Sequence, residues 1–376
     1  MYRKRLCAWI IGLCFSVGAG QASAEELYLR VVDVGNALCV VIKAPGGGRM
    51  LYDAGNVNGS NCLKAVKSII GADDIDLVVL SHSDADHIGE LPAILGEYKG
   101  RVSQLVHTRH PATSDIYGDV IAAIEDPITR PLQVRDLAIR KNARGEHIEI
   151  GQHELPNTNE PLAGRPRAPA WTLPLGDARV TFVAGWDNWP GPIDGMDDSE
   201  MNNVVSIVVR IDYGGHSVLL TGDTIGRTGE PGEPARACLG AEKWMVDNAA
   251  PLIDADVLIG QHHGGDNSSA RCFIEAVSPR YVVFPAGHVT KYMHVRLTAA
   301  RRFTGDGIPG FTMITPGGRM FQSDRGDDQG ALEWSPQRIA GCSDLPGDDD
   351  IEVFISDRPE TDPRVRYRTA NGACRR

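Results

Sequence analysis

Apolar residues occur along this chain in short runs separated by glycine-rich or polar segments. The run ELYLRVVDVGNALCVVIKAP (26–45) and the run MLYDAGN (50–56) lie on either side of three consecutive glycines. Two apolar runs joined by a glycine-rich turn are typical of a β-hairpin. No Lys-Ser/Thr pair or helix signal follows the glycines, so we interpret them as a turn rather than as a phosphate-binding loop.

The next stretch of the pattern predicts a helix and then a buried strand. Ser60 precedes apolar residues at helical spacing and Gly71 follows them, which predicts a capped amphipathic helix. DLVVL (76–80) is a short continuous apolar run, typical of a strand that is buried on both faces. A second helix is expected soon afterwards, with its apolar side formed by Leu91, Ile94, Leu95 and Tyr98.

Polar side chains follow several of the predicted strands at the point where each strand ends. HSVLLTGD ends at Asp223, ADVLIGQHHGG contains His262 and His263, and YVVFPAG is followed after a short loop by His294. Open α/β sheets place their sites at the carboxyl ends of their strands. We therefore expect these residues to share a site with the polar segment that follows DLVVL.

The pattern favours one large α/β domain over residues 25–324. Between about 104 and 170 the regular pattern is lost and the chain becomes rich in Pro, Arg and His, which predicts an inserted, partly irregular lobe. Residues 325–376 are mostly polar, and we expect them to form a C-terminal extension that packs on the domain. No repeat of solenoid period is present.

Residues 1–24 have the pattern of a cleaved secretory signal. Basic residues at 3–5 precede an apolar stretch, and Ala22-Ser23-Ala24 precedes Glu25. An uncleaved membrane anchor is the alternative, but the apolar run is shorter than the ~20 residues that a spanning helix needs. We expect an exported protein, periplasmic or secreted, without a membrane span after the signal is removed.

Charge and cysteine content change this picture in two ways. The formal charge of −11 becomes −14 when residues 1–24 and their three basic side chains are removed, so a long polyanion would be repelled on average. Residues 130–144 form a possible basic stripe, although a solvated face is the favoured interpretation.

Six cysteines remain, an even number that permits disulfides. Candidate pairs are Cys342 with Cys374 and Cys238 with Cys272, but the connectivity stays open.

The segment SHSDADHIGE (81–90) concentrates the candidate chemistry. His82, Asp84 and Asp86 alternate along an extended segment and project in similar directions, and His87 follows at once. Imidazoles and carboxylates together suit Zn²⁺, Mn²⁺ or iron, and carboxylates favour the harder ions. Three further residues enlarge the set to seven candidate ligands, enough for two divalent ions. They are Asp223, His263 and His294.

This segment resembles the His-x-His-x-Asp-His loop of the metallo-β-lactamase fold hydrolases. Four more motifs follow the same order: VVDVGNALCVVIKAPGGGRMLYDAG, SVLLTGD, HHGGDNSS and the histidine of KYMHV. Together they are similar to a branch that includes the hydrolase domain of the competence protein ComEC and the phosphorylcholine esterases. The resemblance runs from about residue 27 to 322. It implies a four-layer αββα sandwich with two metal ions at one edge, between the sheets.

The resemblance also implies a role for each residue. The first ion would be bound by His82, Asp84 and His263, and the second by Asp86, His87 and His294. Asp223 would bridge the two ions. Asp53 would orient a ligand imidazole, and Asn203 would lie behind the ligands, although strand-edge hydrogen bonding explains Asn203 equally well. His262 and Asp86 are the candidate catalytic residues, with His262 protonating a leaving group; whether His262 or His263 binds metal stays open, with His263 favoured.

Three departures from the family pattern affect this interpretation. Asp84 replaces a commoner histidine, which makes Mn²⁺ a rival to Zn²⁺. Glu90 stands where a second glycine is usual, so it would narrow the space beside the ions or add a carboxylate. Residues 36–38 lack the polar element that ComEC carries near its site. In addition, His288 lies close enough in sequence to be a rival to His294.

The expected function is metal-dependent hydrolysis, with hydroxide generated on the ions attacking an electrophilic phosphorus or carbonyl. The branch resemblance favours a phosphodiester in a small molecule, and the acidic charge disfavours nucleic acid. Lactone or β-lactam hydrolysis is a second reading, and a non-catalytic binding protein of the cell envelope is a third. The sequence leaves the physiological substrate, the native metal and the oligomeric state open.

Overall fold

A computed structural model describes most of the chain from residue 25 onward. The described residues are 25–108, 110, 112, 114–136, 140–141, 147–148, 171–185, 196–227, 235–305, 313–343, 345–369 and 374. The predicted signal at 1–24 lies outside them, as does much of the predicted lobe. Of the predicted basic stripe, Arg135 is described, and its side chain lies 5.5 Å over the Trp171 ring and donates to Gln104 and Gln133.

The described residues form strands and helices that alternate along much of the chain. The strands, in chain order, are β1 (Glu26–Val31), β2 (Val40–Lys43), β3 (Arg49–Tyr52), β4 (Ile75–Val79), β5 (Val102–His107), β6 (Gln133–Asp136), β7 (Arg140–Lys141), β8 (His147–Ile148), β9 (Trp171–Leu175), β10 (Ala178–Ala184), β11 (Val208–Tyr213), β12 (His216–Leu220), β13 (Val257–Ile259), β14 (Tyr281–Phe284), β15 (Arg319–Gln322), β16 (Ile351–Ser356) and β17 (Arg364–Tyr367). The helices are α1 (Asn61–Ile69), α2 (Ala85–Ile88), α3 (Leu91–Glu97), α4 (Asp115–Glu125), α5 (Asp198–Val204), α6 (Gly240–Ile253), α7 (Arg271–Val277) and α8 (Leu297–Arg302).

Two large sheets pack face to face. The first has the order β17-β16-β1-β2-β3-β4-β5-β6 and the second β15-β14-β13-β12-β11-β10-β9, while β7 and β8 pair separately. Alternate residues of β1, such as Leu27 and Leu29, face a core that also contains Phe182 and Val209 of the second sheet. Helices α1, α3 and α4 cover the outer face of the first sheet, and α6, α7 and α8 that of the second. The predicted αββα sandwich is confirmed.

Parallel strands determine where the site forms. Strands β3 to β6 are mutually parallel in the first sheet, and β12 to β15 are parallel in the second. The loops that follow β3, β4, β12, β13 and β14 therefore begin at carboxyl strand ends. These five loops carry the polar residues singled out in the sequence.

Two local predictions are confirmed, one of them through a different contact. Strands β2 and β3 pair antiparallel around the glycine turn, as expected of a hairpin. Helix α1 begins after Ser60, but the Ser60 hydroxyl makes no capping hydrogen bond. The carboxylate of Glu90 accepts instead, from the amide nitrogens of Cys62 (3.2 Å) and Leu63 (2.9 Å). Glu90 therefore stabilises the start of α1, whereas we expected it beside the ions.

The boundary expected at residue 324 does not separate the C-terminal segment from the sandwich. Strand β16 pairs antiparallel with β1 and β17 pairs with β16, so both extend the first sheet. Ile351, Val353 and Ile355 enter the core between the sheets. Polar residues dominate most of this segment, which is why its pairing with β1 was not predicted.

Part of the predicted lobe belongs to the sandwich. Within residues 104–170, β5, α4 and β6 are regular elements: β5 and β6 extend the parallel part of the first sheet, and α4 covers it. Residues 142–146 and 149–170 lie outside the described part of the chain. The structure therefore places regular elements of the sandwich in the first half of the segment that we expected to be partly irregular.

The described residues contain three disulfides. They join Cys39 to Cys62, Cys238 to Cys272, and Cys342 to Cys374, so both candidate pairs from the sequence are present. The first links the start of β2 to α1, and the third connects the polar segment after β15 to the C-terminal end.

Among the helices that the structure describes, none has the length and apolar character required to cross a membrane.

Candidate metal centre

The loop after β4 brings the SHSDADHIGE residues to the edge between the sheets. Helix α2 begins directly after Asp84, and its first turn carries Asp86 and His87. His82 and His87 are buried, whereas the side chains of Asp84 and Asp86 keep 27% and 32% of their surface exposed. The imidazoles are therefore held in the interior and the two carboxylates reach the cleft.

Asp53, which directly follows β3, fixes this loop through hydrogen bonds to its carboxylate. Its carboxylate accepts hydrogen bonds from the Ser81 amide (2.6 Å), the Ser81 hydroxyl (2.7 Å) and the Nδ1 of His87 (2.8 Å). A carboxylate is only an acceptor when ionised, so the neutral His87 ring carries its hydrogen on Nδ1. The Nε2 of His87 then presents a lone pair to the space between the sheets.

The same reasoning applies to His82. Its Nδ1 lies 2.9 Å from the Ser81 hydroxyl, whose single hydrogen is donated to Asp53. The Nδ1 of His82 must therefore donate to the hydroxyl oxygen. Its Nε2 is buried without a hydrogen-bond partner and lies 3.5 Å from the Oδ2 of Asp84.

His263 reaches the same space from the second sheet. The segment QHHG follows β13, and His262 and His263 both adopt left-handed backbone conformations, with φ of 45° and 51°. The Nδ1 of His263 donates to the carbonyl oxygen of Pro285 at 2.6 Å. Its Nε2 is thereby left as an acceptor, 3.3 Å from the Nε2 of His87.

Carboxylates complete this set of acceptors. The Nε2 of His263 lies 3.4 Å from Asp86 and 3.3 Å from Asp223, and the Nε2 of His87 lies 3.2 Å from the other oxygen of Asp223. Ligand atoms at 2.0–2.1 Å from a tetrahedral ion are about 3.3 Å apart from one another. Atoms that could hold an ion lie together in two groups, His82 with His87 and Asp223, and Asp86 with His87 and His263. The residues present fit divalent cations.

The pKa shifts of the candidate ligands also agree with cation binding. Burial alone would lower the pKa of His87, but the carboxylates of Asp223 and Asp53 raise it well above its ordinary value. Burial would raise the pKa of Asp223, but His263 and His87 hold it well below its usual range. The carboxylates are therefore ionised, and a bound cation would displace protons from the imidazoles.

The two groups share His87, and Asp223 belongs to the first group and lies 3.3 Å from the Nε2 of His263 in the second. The resemblance implies instead that His82, Asp84 and His263 hold one ion and that Asp86, His87 and His294 hold the other, with Asp223 between them. Which residues hold which ion stays a prediction.

His294 lies near the centre but outside both groups. Its ring centroid is 6.0 Å from that of His263 and 5.4 Å from that of His262, and its buried Nδ1 makes no hydrogen bond. The rival His288 is directed elsewhere, with its Nδ1 2.5 Å from the Oδ1 of Asp327. The role of His294 as a ligand stays a prediction.

His262 lies beside the centre and is held by two amides. Its Nδ1 lies 2.6 Å from the Oδ1 of Asn267, and its Nε2 lies 3.4 Å from the Nδ2 of Asn203 and 3.9 Å from Asp223. Burial lowers the pKa of His262, which keeps the ring neutral with Nε2 as its acceptor. Asn203 therefore contacts the neighbour of a candidate ligand, as expected of a supporting residue.

Sequence reasoning missed several residues that position the centre. Ser81 links Asp53 to His82, Asn267 orients His262, and the Nδ2 of Asn202 donates to the Oδ1 of Asp84 at 2.5 Å. Asn36 lines the cleft, so residues 36–38 do supply a polar group there, contrary to our expectation. Ser81 and Asn267 adjoin recognised motifs, but no local signal distinguishes Asn202 from any other helical asparagine.

The centre lies at the base of a cleft of about 870 Å³. Its walls include Tyr292 and residues at the start of α5, and the acidic side chains of Asp197 and Glu200 lie at its rim. Among the described residues that line the cleft, none is Lys or Arg. The cleft therefore presents acceptors and negative charge around the place where cations would bind.

Comparisons with known proteins agree with this geometry. Residues 32–162 match the family model described as the metallo-beta-lactamase superfamily. The ComE operon protein 3 of Bacillus subtilis is 24% identical over 306 residues, which cover 77% of this chain and 32% of that protein. The competence protein ComA of Neisseria gonorrhoeae is 23% identical over 308 residues, which cover 80% and 33%. The chain thus spans about a third of the length of these curated relatives.

The solved structures to which this chain is similar are more distant in sequence. The metallo-beta-lactamase fold protein YhfI from Bacillus subtilis is 14% identical with a TM-score of 0.40, over 74% of this chain and 95% of that one. Human tRNase Z, short form, is 13% identical with a TM-score of 0.36, over 69% and 90%. The match over residues 32–162, the two-sheet sandwich and the ordered motifs agree with the expected resemblance to the metallo-β-lactamase superfamily, and the chain is similar to the two competence-type proteins named above.

Proposed function

We propose that this protein is an exported hydrolase that uses two divalent cations, Zn²⁺ or Mn²⁺, to cleave a phosphodiester in a small substrate. Members of the superfamily are generally metal-dependent hydrolases. The observation that carries the proposal is the set of acceptors at the centre. His82, His87 and His263 all commit Nδ1 to a neighbouring oxygen and direct Nε2 toward carboxylates, where a bound cation would take the place of a proton. Imidazole nitrogens and carboxylate oxygens that face one another at such short distances are stabilised by positive charge between them.

Different residues at the centre have different roles in the proposed reaction. His82, Asp84, Asp86, His87, His263 and Asp223 would hold the cations, with His294 at their margin. When bound, the cations supply an activated water and neutralise charge that develops on the substrate. Asp53 keeps His87 in its ligating tautomer. The neutral His262 ring has an acceptor Nε2 close to Asp223, so it can take up a proton during the reaction and pass it to the leaving group.

The electrostatics of the cleft favour a small substrate over nucleic acid. Carboxylates surround the centre, the described lining residues include no Lys or Arg, and the formal charge of the chain is −11. A long polyanion depends on Lys and Arg contacts for most of its affinity. A single phosphodiester group carries one negative charge, which the cations themselves can offset. The ComEC-like form of the Asp84 and HHGG motifs favours this bond over a lactone.

Two features support export. The first 24 residues have the pattern of a secretory signal. All six cysteines beyond that segment are paired in disulfides, which persist in oxidising compartments and are rare in the cytosol. Expression of the full chain in a bacterium, followed by mass measurement of the product, tests this point. We expect a periplasmic or secreted protein that begins at Glu25.

The hydrolase proposal is tested with a bis-aryl phosphodiester. The protein is stripped with a chelator and reloaded with Mn²⁺ or Zn²⁺, and the release of the phenol is followed. We expect turnover that depends on the metal and that is lost in Asp223→Asn. Asp212→Asn is the matched control, because Asp212 lies on β11 and pairs with surface arginines.

Two results would contradict the proposal at different levels. Protein that holds two ions but cleaves no phosphodiester is not a phosphodiesterase, and lactones and β-lactams become the next substrates to test. Protein that binds no ion after reloading is not a metal-dependent hydrolase.

A further inference from the structure

One loop beside the centre is contacted at both ends by a single segment of the C-terminal region. The loop, residues 285–296, connects β14 to α8 and carries Tyr292 and His294. Tyr292 lines the cleft with 44% of its surface exposed, and its ring stacks on that of His294 with the centroids 5.6 Å apart. The position of this loop therefore determines one wall of the cleft. The segment that contacts it is residues 327–334, which follow β15.

The first contact lies at the start of the loop. The Nε2 of Gln329 donates to the carbonyl oxygen of Gly287 at 3.2 Å and to the Oδ2 of Asp327 at 2.7 Å. The Oδ1 of Asp327 lies 2.5 Å from the Nδ1 of His288. The segment thus binds both the backbone and a side chain where the loop begins.

The second contact lies at the end of the loop. The amide of Trp334 donates to the carbonyl oxygen of Val295 at 2.8 Å, and Arg296 and Glu333 form an antiparallel bridge. The Glu333 side chain turns back toward the first contact, because its Oε2 accepts from the backbone amide of Gln329 at 2.5 Å. These contacts fix the backbone directly after the candidate ligand of the loop.

Two buried carboxyl groups join the contacts. The side chains of Asp327 and Glu333 form a hydrogen bond with each other, and these residues are 0% and 1% exposed. Two carboxylates cannot make such a bond, so one of the groups holds a proton. Burial raises the pKa of Glu333 from 4.5 to about 8, and the charge of Asp327 acts in the same direction, whereas the Gln329 amide and Arg338 act in the opposite one. Glu333 is therefore protonated near neutral pH.

Charged groups near this pair have other partners. Arg338 pairs with Asp328 of the same segment at 2.7 Å. The side chain of Arg296, although this residue is opposite Glu333 in the bridge, lies 3.4 Å from Asp266. The shared proton is therefore what allows Asp327 and Glu333 to remain in contact.

We propose that the 327–334 segment positions the loop of Tyr292 and His294 at the candidate centre, with Gln329, Asp327 and Glu333 as its positioning residues. A segment that few hydrogen bonds fix opens locally at low cost, so loss of these contacts would let the loop open. Glu333 keeps its proton up to about pH 8 in the folded protein, so its contribution is lost as pH rises through that value. The inference rests on the proposed function, since the loop belongs to the same centre.

Hydrogen exchange of the metal-free protein tests the contacts without turnover. Exchange is followed by mass spectrometry in peptides that cover residues 286–296, at pH 7 and pH 9, with rates corrected for the intrinsic effect of pH. Gln329→Ala should raise the rate in the loop about tenfold at both pH values and leave helix α6 unchanged, because two hydrogen bonds at the start of the loop are lost. Gln337→Ala is the matched control, since Gln337 is an exposed glutamine close by in the same polar region.

Glu333→Gln separates positioning from general stability. The glutamine amide can donate to Asp327 at every pH, so the loop of this variant should exchange at the same corrected rate at pH 7 and pH 9. In wild-type protein the rate should rise about tenfold between these values, as the shared proton is lost. General damage to the fold would instead raise the rate of the variant at both.

Turnover of the bis-aryl phosphodiester by the metal-loaded variants connects the loop to the proposed function. We expect kcat/KM to fall about tenfold in Gln329→Ala and to match wild type in Gln337→Ala. Equal loop exchange in Gln329→Ala and wild type overturns the inference, as does faster exchange that is equally large in α6 or a loosened loop with unchanged kcat/KM. If wild-type protein cleaves no phosphodiester, the proposed function fails, and the exchange rates still decide whether the segment holds the loop.

Discussion

The Nδ1 of His87 lies 2.8 Å from the Oδ2 of Asp53, and both side chains are completely buried. This contact joins the end of β3 to the first turn of α2, two elements that adjoin only in the folded protein. It determines which nitrogen of His87 faces the centre. Because the Ser81 amide and hydroxyl donate to the same carboxylate, Asp53 cannot turn away without leaving three donors unsatisfied.

Asp53→Asn should weaken metal binding without unfolding the protein. An amide NH₂ opposite Nδ1 would favour the tautomer with hydrogen on Nε2, which cannot ligate a cation. Asparagine tolerates the left-handed backbone at this position, where φ is 57°. Loss of such a supporting contact typically lowers metal affinity 10- to 100-fold. Calorimetric titration with Zn²⁺ measures the change.

Asp212→Asn provides the reference for this substitution, because it makes the same chemical change on the surface of β11. Equal Zn²⁺ affinities in Asp53→Asn and wild type would mean that Asp53 does not control the ligand at His87.

Glu90→Ala should lower stability and leave metal content unchanged. Glu90 is 3% exposed and accepts from the amide nitrogens of Cys62 and Leu63 at the start of α1. Its removal leaves buried donors without a partner, which costs about 1–3 kcal/mol. Urea denaturation followed by circular dichroism measures the loss. Glu275→Ala, which breaks an exposed pair with Arg271, should cost about 1 kcal/mol or less.

A loss of bound metal in Glu90→Ala, with stability unchanged, would place Glu90 at the centre after all. That result would restore the interpretation drawn from the sequence, in which the residue replaces a glycine of the signature loop.

Glu242 should make the stability of the protein fall as pH rises. Burial raises the pKa of Glu242 from 4.5 to about 7, although the Ala270 amide, Arg227 and Arg302 act in the opposite direction. The folded state therefore holds a proton that the unfolded state releases at lower pH. This contribution is fully present below pH 4.5, is lost between pH 4.5 and 7, and amounts to about 3 kcal/mol.

Glu242→Gln lacks this titration. The free energy of unfolding of the variant, relative to wild type, should therefore rise between pH 4.5 and 7 and then stay constant. Urea denaturation at several pH values provides the comparison, with the exposed Glu275→Gln as the reference. A difference between Glu242→Gln and wild type that does not change with pH would show that Glu242 is ionised in the folded protein throughout this range.

The sequence predicted the part of the site that local patterns encode. Asp223 and His263 each follow an apolar strand, and the meeting of parallel strands at one edge is a general property of α/β sheets. The segment from His82 to His87 is contiguous, so its convergence needs no long-range information. These residues and the two-layer sheet core were accessible without a structure.

Other features depend on contacts between distant segments, which no local pattern records. Asn202 contacts Asp84 across 118 residues, and Glu90 is drawn to α1 by unsatisfied amides that are 28 and 27 residues earlier. Strands β16 and β17 join the first sheet beside β1, although they lie more than 300 residues after it in the sequence. Each pairing becomes visible only when the fold brings the partners together.

His262→Gln should slow the cleavage of substrates whose leaving group needs a proton. The Nδ1 and Nε2 of His262 face the Asn267 and Asn203 amides, which orient the ring. General acid–base catalysis typically contributes 10²- to 10⁴-fold, and the contribution shrinks when the leaving group is already stable as an anion. We expect at least a 100-fold loss in kcat with an alkyl phosphodiester, a much smaller loss with a nitrophenyl phosphodiester, and unchanged metal content. His216→Gln, on β12 beside Asp256, should affect neither substrate. Equal losses with both leaving groups would mean that His262 positions the substrate or the cations and transfers no proton.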